Sequence, residues 1–250
     1  MLNKFELFLI RQISQSKSEK LKRSEQQNLL IAEDLVKMRA QCNGLLTMEK
    51  NGLLTEASCA VFEHLSLLLK LRDPAAYQHS ARVAKIAGLL GMEAGLGDEY
   101  CMSLELAASL HDIGIATLPT GTPTHAESIL ERDELETFKT HCVMGETILF
   151  SDDHLLGMAA RVARSHHELF DGSGYPDGLK GHLIPLEARI VAVADYIEGL
   201  LCGSHHIEPI NYETVYARLN QLSGSAFDPD IVRKVDRISE RICHICQQSG

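Results

Sequence analysis

Residues 104–114 read LELAASLHDIG, an apolar helical pattern that runs directly into a histidine and an aspartate. His111 and Asp112 stand just before Gly114, a residue type that commonly follows the end of a helix. A carboxylate at the buried end of a helix is costly unless it is paired or binds metal. The stretch therefore predicts a helix over Asp98–His111 whose end carries a metal-binding His–Asp pair.

Four further segments with helical spacing carry residues of the same types. Bundle cores build metal sites from side chains on facing helices, and imidazole and carboxylate are common metal ligands. One histidine on an apolar face is more often a core residue, but seven suitable residues on five helices, at intervals of 25 to 32 positions from one helix to the next, favour a metal centre. The set comprises His79 on His79–Leu90, His111 and Asp112, His141 on Asp133–Phe150, His166 and His167 at the end of Leu155–His167, and Asp195 on Pro185–Leu201.

The whole chain lacks an alternating strand pattern of useful length, which predicts an all-α fold. Further helices are expected at Ala57–Lys70, Tyr212–Leu222 and Asp228–Ile245. The main domain is placed at residues 56–250, after two Asn-Gly pairs that indicate a break. Residues 1–55 are interpreted as a helical extension or linker, because 2–40 contain no Gly or Pro. This segment is expected to be a partner helix, a coiled-coil connection or a signalling linker, which suits a homodimer, or else a solvated extension.

Composition excludes several classes of protein. The formal net charge of −10 disfavours binding to duplex nucleic acid. Seven irregularly spaced cysteines favour reduced thiols and a cytoplasmic location over a disulfide framework. The sequence has no run of eighteen apolar residues, so no membrane span is expected.

Long motifs then point to a family. HDIG at 111–114, HHELFDGSGYPDGLKG at 166–181, LEARIVAVAD ending at Asp195 and FDPDIV at 227–232 resemble the HD-GYP family. The resemblance covers residues 72–235. It implies an HD-domain helical bundle that hydrolyses cyclic di-GMP, a bacterial second messenger, to pGpG or GMP at a centre of several metals.

The resemblance also implies a ligand set. One ion would bind His79, His111, Asp112 and Asp195, and the second would bind His141, His166 and His167, with Asp112 bridging. His111 and Asp112 would be the catalytic residues, and a hydroxide bridging the two ions would attack phosphorus. Iron or manganese is the family's usual metal, although mixed nitrogen and oxygen ligands also admit zinc or nickel.

The loop at residues 171–181 is rich in glycine. We expect its Gly174, Tyr175, Pro176 and Lys180 to bind substrate, and positive φ angles at Gly172, Gly174 and Gly178. The same loop suits docking of a signalling protein, or serves as a structural turn that positions His166 and His167.

Three positions depart from the family pattern. Ile115 replaces a lysine and Ser204 an arginine, and both cations are thought to hold substrate phosphate in relatives. Their loss would weaken binding, because charge-assisted hydrogen bonds are the strong ones. Lys180, His205 and His206 are candidates to compensate. Ala75 replaces a glutamate that supports a third metal in some relatives, so two ions are expected.

Two other functions stay open at the level of sequence. The intact ligand set with missing cations suits a cyclic di-GMP sensor or protein-interaction module with little turnover. A different HD-type enzyme, either another nucleotide phosphohydrolase or a di-iron oxygenase, is disfavoured by the HHELFDGSGYP segment.

Overall fold

The computed structural model describes residues 56–119, 130–203 and 208–247. Within these ranges the chain is α-helical and forms no strand, with one isolated bridge between Ser223 and Phe227. The predicted all-α class is therefore confirmed. The helices are α1 Glu56–Arg72, α2 Pro74–Glu93, α3 Asp98–Ala108, α4 Arg132–Leu149, α5 His154–Ser165, α6 Leu186–Cys202, α7 Tyr212–Gln221, α8 Pro229–Val235 and α9 Ser239–Gln247.

Helix α6 forms the centre of the bundle. Its sequence is apolar nearly all round, and each of its residues is buried or half-buried, as expected for a helix enclosed by others. Helix α2 packs against α3 and α6, and α5 packs against α3, α4 and α6. The helices that carry the seven candidate ligands therefore form one connected set of packed elements.

Helix α2 begins five residues earlier than the sequence pattern predicted. Asp73 caps it by accepting hydrogen bonds from the backbone N–H groups of Ala75 and Ala76, each at 3.0 Å. Pro74 occupies the first position, where a missing N–H costs nothing. His79 consequently lies in the second turn instead of opening the helix.

Helices α3 and α5 end earlier than predicted, and both ends carry candidate ligands. Helix α3 stops at Ala108, and the N–H of His111 bonds to the carbonyl of Ala108 at 3.2 Å, three residues back. This tighter winding continues into a short 3₁₀ helix at Ile113–Thr117. Helix α5 stops at Ser165, so His166 and His167 lie at its C-terminal cap.

The C-terminal region also differs from the single helix predicted at 228–245. It divides into α8, a 3₁₀ turn at Asp236–Ile238 and α9. Asp228 caps α8 by accepting from the N–H of Asp230 at 2.8 Å, and it also pairs with Arg189 on α6.

Two sequence predictions concern other parts of the chain. The N-terminal extension lies outside the described residues. Among the described residues, no helix has both the length and the apolar run needed to cross a bilayer.

A close approach at Gly114 joins the 3₁₀ helix to α4. A Cβ atom added to Gly114 would overlap the carbonyl oxygen of His141 and lie 2.6 Å from the backbone nitrogen of Gly145. Only a residue without a side chain allows this contact, which brings Asp112 beside His141.

We expect Gly114→Ala to destabilise the protein by about 3 kcal/mol, because the added methyl forces two backbone segments apart. Gly199→Ala is the matched control, since its Cβ would meet nothing within 4 Å in the interior of α6. That change should stabilise by about 0.5–1 kcal/mol. Urea unfolding followed by circular dichroism measures both. Equal stabilities of the two variants would contradict the role given to Gly114.

Candidate metal centre

The seven predicted residues converge on one place at the centre of the bundle. Their side chains form two adjoining clusters, which we define by their residues. The first cluster is His79, His111, Asp112 and Asp195; the second cluster is His141, His166 and His167.

Four of the five imidazole rings are fixed through their Nδ1 atoms. His111 Nδ1 donates to the carbonyl of Ala108 at 2.9 Å, and His141 Nδ1 to that of Phe138 at 2.6 Å. His166 Nδ1 bonds to Ala163 at 3.0 Å, and His79 Nδ1 to the Glu198 carboxylate at 2.5 Å. With the proton on Nδ1, the Nε2 atom of each ring is directed into the centre, as in metal-binding histidines.

Asp112 lies between the two clusters and reaches both. Its Oδ2 is 3.3 Å from His111 Nε2, and its Oδ1 is 3.4 Å from both His141 Nε2 and His166 Nε2. The carboxylate is nearly buried. One oxygen therefore faces each cluster, which is the arrangement required of a bridging carboxylate.

Asp195 lies on the more open side of the first cluster. Its Oδ1 is 3.0 Å from His79 Nε2 and 4.0 Å from His111 Nε2, and 29% of its side chain is exposed. The sequence pattern predicted a carboxylate enclosed by an apolar helix. The structure instead places it on the one face of α6 that is turned towards the histidines.

The ionisable groups of the first cluster favour their charged forms. Burial lowers the pKa of His79, but hydrogen bonds to Asp195 and Glu198 outweigh it and raise the pKa well above its ordinary value. Burial likewise opposes protonation of His111, yet the charge of Asp112 leaves its pKa raised. Burial would raise the pKa of Asp112, but His111 and the other imidazoles hold it well below its usual range.

In the second cluster, the pKa values of His141 and His167 are lowered, so these rings favour their neutral forms. Burial lowers the pKa of His141 to about 4, against a partial opposing effect from Asp112. Burial also lowers the pKa of His167 well below its ordinary value, and the neighbouring His166 and His141 lower it further. The rings of His141 and His167 are therefore neutral near pH 7 and ready to donate lone pairs.

Imidazole nitrogens and carboxylate oxygens converging at these separations form groups that could hold divalent metal ions. The nitrogen-rich set suits transition metals, and the shared carboxylate supplies the negative charge that such ions favour. The donor chemistry thus fits the divalent metals that the family resemblance implies.

Glu198 is a supporting residue that the sequence analysis missed. It is 1% exposed, and its second oxygen accepts from Arg82 Nε at 2.5 Å while the first holds His79. A buried carboxylate normally requires such partners. The signal was available, because Glu198 stands three residues after Asp195 in a mainly apolar helix, on a neighbouring part of the same face.

The glycine-rich loop is fixed to the end of α5. The buried carboxylate of Glu168 accepts from the backbone N–H groups of Asp177 at 2.7 Å and Leu179 at 2.9 Å. Arg164 forms a two-bond ion pair with Asp177, at 2.7 and 2.8 Å. Because Glu168 directly follows His167, these bonds connect the loop rigidly to the second cluster.

The predicted substrate-binding residues occupy different parts of this loop. The ring of Tyr175 stacks on His167, with centroids 4.8 Å apart and an interplanar angle of 16°, and a cis peptide joins it to Pro176. Lys180 is exposed and its charge acts on Asp171, which lowers the pKa of that carboxyl after the larger effect of Ser173. The loop thus places Tyr175 beside the second cluster and Lys180 at its outer side.

The glycines of this loop fulfil two different requirements. Gly172 and Gly178 have φ angles of +88° and +66°, as predicted. The prediction for Gly174 was wrong, because its φ is not positive; a Cβ there would overlap the backbone of Leu169 and lie 2.5 Å from the carbonyl of His167. Close packing, and not backbone conformation, requires Gly174.

The positions at which this sequence differs from the HD-GYP pattern lie in different parts of the chain. Ile115 is 2% exposed and packs with Leu118 and Phe138, so an apolar cluster occupies the place of a cation. Ala75 lies in the first turn of α2, where its N–H bonds to Asp73. Ser204, His205 and His206 lie outside the described residues.

Glu198→Gln should weaken metal binding by about 10–100-fold at the first cluster, because the acceptor that orients His79 is altered. It should also destabilise the protein by about 3 kcal/mol, since Arg82 loses its counter-charge. Isothermal titration with Mn²⁺ and urea unfolding measure the two effects. Glu240→Gln, at an exposed position on α9, is the control. Unchanged Mn²⁺ affinity in Glu198→Gln would refute the orienting role.

The two clusters should lose metal at different pH. Metal must displace protons from His79 and His111, whose pKa values are raised, but not from His141 and His167, whose pKa values are lowered. Chelator-treated protein should therefore bind about one equivalent of Zn²⁺ at pH 6 and about two at pH 8. Elemental analysis after dialysis gives the stoichiometry. The equivalent bound at pH 6 should disappear in His167→Ala; parallel loss of both equivalents on acidification would contradict this account.

Comparison with known proteins identifies the family of the chain. The HD domain family matches residues 63–231. The cyclic di-GMP phosphodiesterase response regulator RpfG of Xanthomonas campestris pv. campestris is 36% identical over 185 residues, which are 74% of this chain and 49% of that protein. A cyclic di-GMP phosphodiesterase of Thermotoga maritima is 33% identical over 186 residues, 74% of this chain and 50% of that protein. The chain thus spans about half the length of these relatives.

A solved structure supports the fold. An HDG"Y"P protein from Bdellovibrio bacteriovorus superposes with a TM-score of 0.58 at 18% identity, over 81% of this chain and 70% of that one. The HD-domain match spans more than half of the chain and contains both the His–Asp pair and the whole DGSGYPDG loop. This chain belongs to the HD-domain family, in its HD-GYP branch.

Proposed function

We propose that this chain is a metal-dependent phosphodiesterase that hydrolyses cyclic di-GMP to pGpG or GMP at a centre of two divalent ions. The observation that carries the proposal is the position of Asp112, with one oxygen facing each of two imidazole clusters. The names of the relatives from Xanthomonas and Thermotoga support the choice of substrate. Iron or manganese is the first choice of metal, and zinc or nickel the second.

In this proposal the seven residues of the two clusters hold the ions. Two ions so held would lower the pKa of a water molecule and neutralise charge on the phosphoryl oxygens. Asp112 and His111 fix the geometry, since both are nearly buried and each is bonded to its neighbours. No serine or cysteine nucleophile is needed.

A cation beside the second cluster supports binding of an anionic substrate. Lys139 Nζ lies 5.5 Å from the ring centroid of Tyr175, which itself stacks on His167. Lys139 also pairs with Glu136 at 2.8 Å. We therefore assign phosphate binding to Lys139 in place of the cation lost at Ile115, with Gly174, Tyr175 and Pro176 forming the adjoining wall.

Two partner proposals and a location accompany this function. The exposed outer side of the glycine-rich loop, at Asp177, Gly178 and Lys180, is proposed as a docking surface for a signalling protein. Residues 1–55 are proposed to mediate homodimerisation. None of the six described cysteines forms a disulfide, which supports a cytoplasmic location.

Chromatography of cyclic di-GMP incubated with protein loaded with Fe²⁺ or Mn²⁺ tests the activity. We expect pGpG or GMP from the wild type. Asp112→Ala should lose both bound metals and lower turnover by at least about a hundredfold. Replacing a residue that only supports a metal ligand already lowers metal affinity or activity by about 10–100-fold. Asp230→Asn, at an exposed position paired with Arg233, should behave as wild type.

Other outcomes would select the remaining functions. Binding of cyclic di-GMP without product would replace the enzyme proposal by a sensor or interaction module. Hydrolysis of other phosphodiesters only would indicate a different HD-type phosphohydrolase. Retention of two metals in Asp112→Ala would refute its bridging role.

Lys139→Met should raise the KM for cyclic di-GMP about tenfold with a smaller change in kcat, because a charged hydrogen bond to phosphate contributes about 1.5–3 kcal/mol. Steady-state kinetics of Lys139→Met and Lys180→Met, compared at saturating metal, discriminate between the two lysines. A rise in KM confined to Lys180→Met would contradict the assignment to Lys139 and would show that Lys180, the lysine predicted from the sequence, binds the phosphate.

A further inference from the structure

Cys142 lies within the second cluster. Its side chain is completely buried, and its Sγ is 3.5 Å from His141 Nε2. The sulfur and one ring nitrogen each of His141, His166 and His167 all lie within 4.8 Å of one another. Among the described residues, no other cysteine belongs to a group of this kind. Cys101, for example, is buried but donates to the carbonyl of Leu96 at 3.5 Å.

The separations match those between neighbouring ligands of a single ion. Bonds of 2.0–2.1 Å to nitrogen and 2.3 Å to sulfur place two nitrogens about 3.3 Å apart and nitrogen and sulfur about 3.6 Å apart. The observed separations are 3.4 Å between the Nε2 atoms of His141 and His166, and 3.5 Å between His141 Nε2 and Cys142 Sγ. The sulfur thus lies where a ligand to the same ion would be.

We propose that Cys142 is a ligand of the second cluster and binds the metal as a thiolate. Its proton passes to solvent when the metal enters, as for other cysteine ligands. A soft sulfur donor favours Zn²⁺ or another thiophilic ion over Mn²⁺, which prefers oxygen ligands. This inference rests on the two-metal centre proposed above.

The consequence is a centre with two chemically different halves. The first cluster has the carboxylates of Asp112 and Asp195 beside two imidazoles, which suits ions that prefer oxygen. The second has three imidazoles and a thiolate, and shares only one oxygen, from Asp112. A protein offered both metals should therefore take up zinc at the second cluster and manganese at the first.

Cobalt provides a direct probe of the sulfur ligand. Wild type, Cys142→Ser and Cys101→Ser are loaded with Co²⁺, their cobalt content is measured, and their near-ultraviolet spectra are recorded. A thiolate-to-cobalt charge-transfer band should appear in the wild type and in Cys101→Ser and be missing from Cys142→Ser. Absence of the band in wild type carrying two Co²⁺, or its persistence in Cys142→Ser, overturns the proposal.

A measurement on the wild type alone removes any dependence on folding of the variant. X-ray absorption of zinc-loaded protein should show sulfur scattering at about 2.3 Å from zinc. Purely nitrogen and oxygen scattering overturns the proposal. In addition, Cys142→Ser should lower the preference for Zn²⁺ over Mn²⁺ at the second cluster by at least about tenfold. Because none of these readouts uses turnover, sulfur-ligated metal without hydrolysis would overturn only the proposed activity.

Discussion

Hydrogen bonds at the Nδ1 atoms of four histidines are the constraint on which the centre depends. Three of these atoms donate to carbonyls three residues earlier in the chain, and the fourth donates to Glu198. Each bond fixes both the tautomer and the direction of a ring. Three of the Nε2 atoms then lie within 3.4 Å of Asp112, and that of His79 lies 3.0 Å from Asp195. The charges of these carboxylates offset the cost of enclosing so many polar groups.

The ends of α3 and α5 supply the geometry that regular helices lack. Adjacent residues of an α-helix point about 100° apart, so a pair of neighbours can approach one centre only where the helix winds differently. His111 and Asp112 follow the tight turn after α3, and His166 and His167 follow the end of α5, with ring centroids 4.1 Å apart. Gly114 then lets the first of these turns approach α4, and Glu168 connects the second to the glycine-rich loop.

Much of this arrangement is encoded in local sequence, and some of it is not. The all-α class and the convergence of His79, His141 and Asp195 followed from helical spacing and the resemblance to HD-GYP proteins. The ends of α3 at Ala108 and of α5 at Ser165 could not be predicted from the sequence. Backbone turns end these helices, whereas the apolar spacing continues past both residues. Glu198 was missed since its role depends on Arg82 and His79, which lie more than a hundred residues away in sequence. The role proposed for Lys139 was also missed, because it depends on the contact between Lys139 and Tyr175.

The central claim is that Asp112 bridges two metal ions held by two separate imidazole clusters. Anomalous diffraction from crystals grown with Mn²⁺ tests it most directly. The account predicts two peaks about 3.5–4 Å apart, one on each side of the Asp112 carboxylate. A single peak, or two peaks of which neither contacts Asp112, would contradict it.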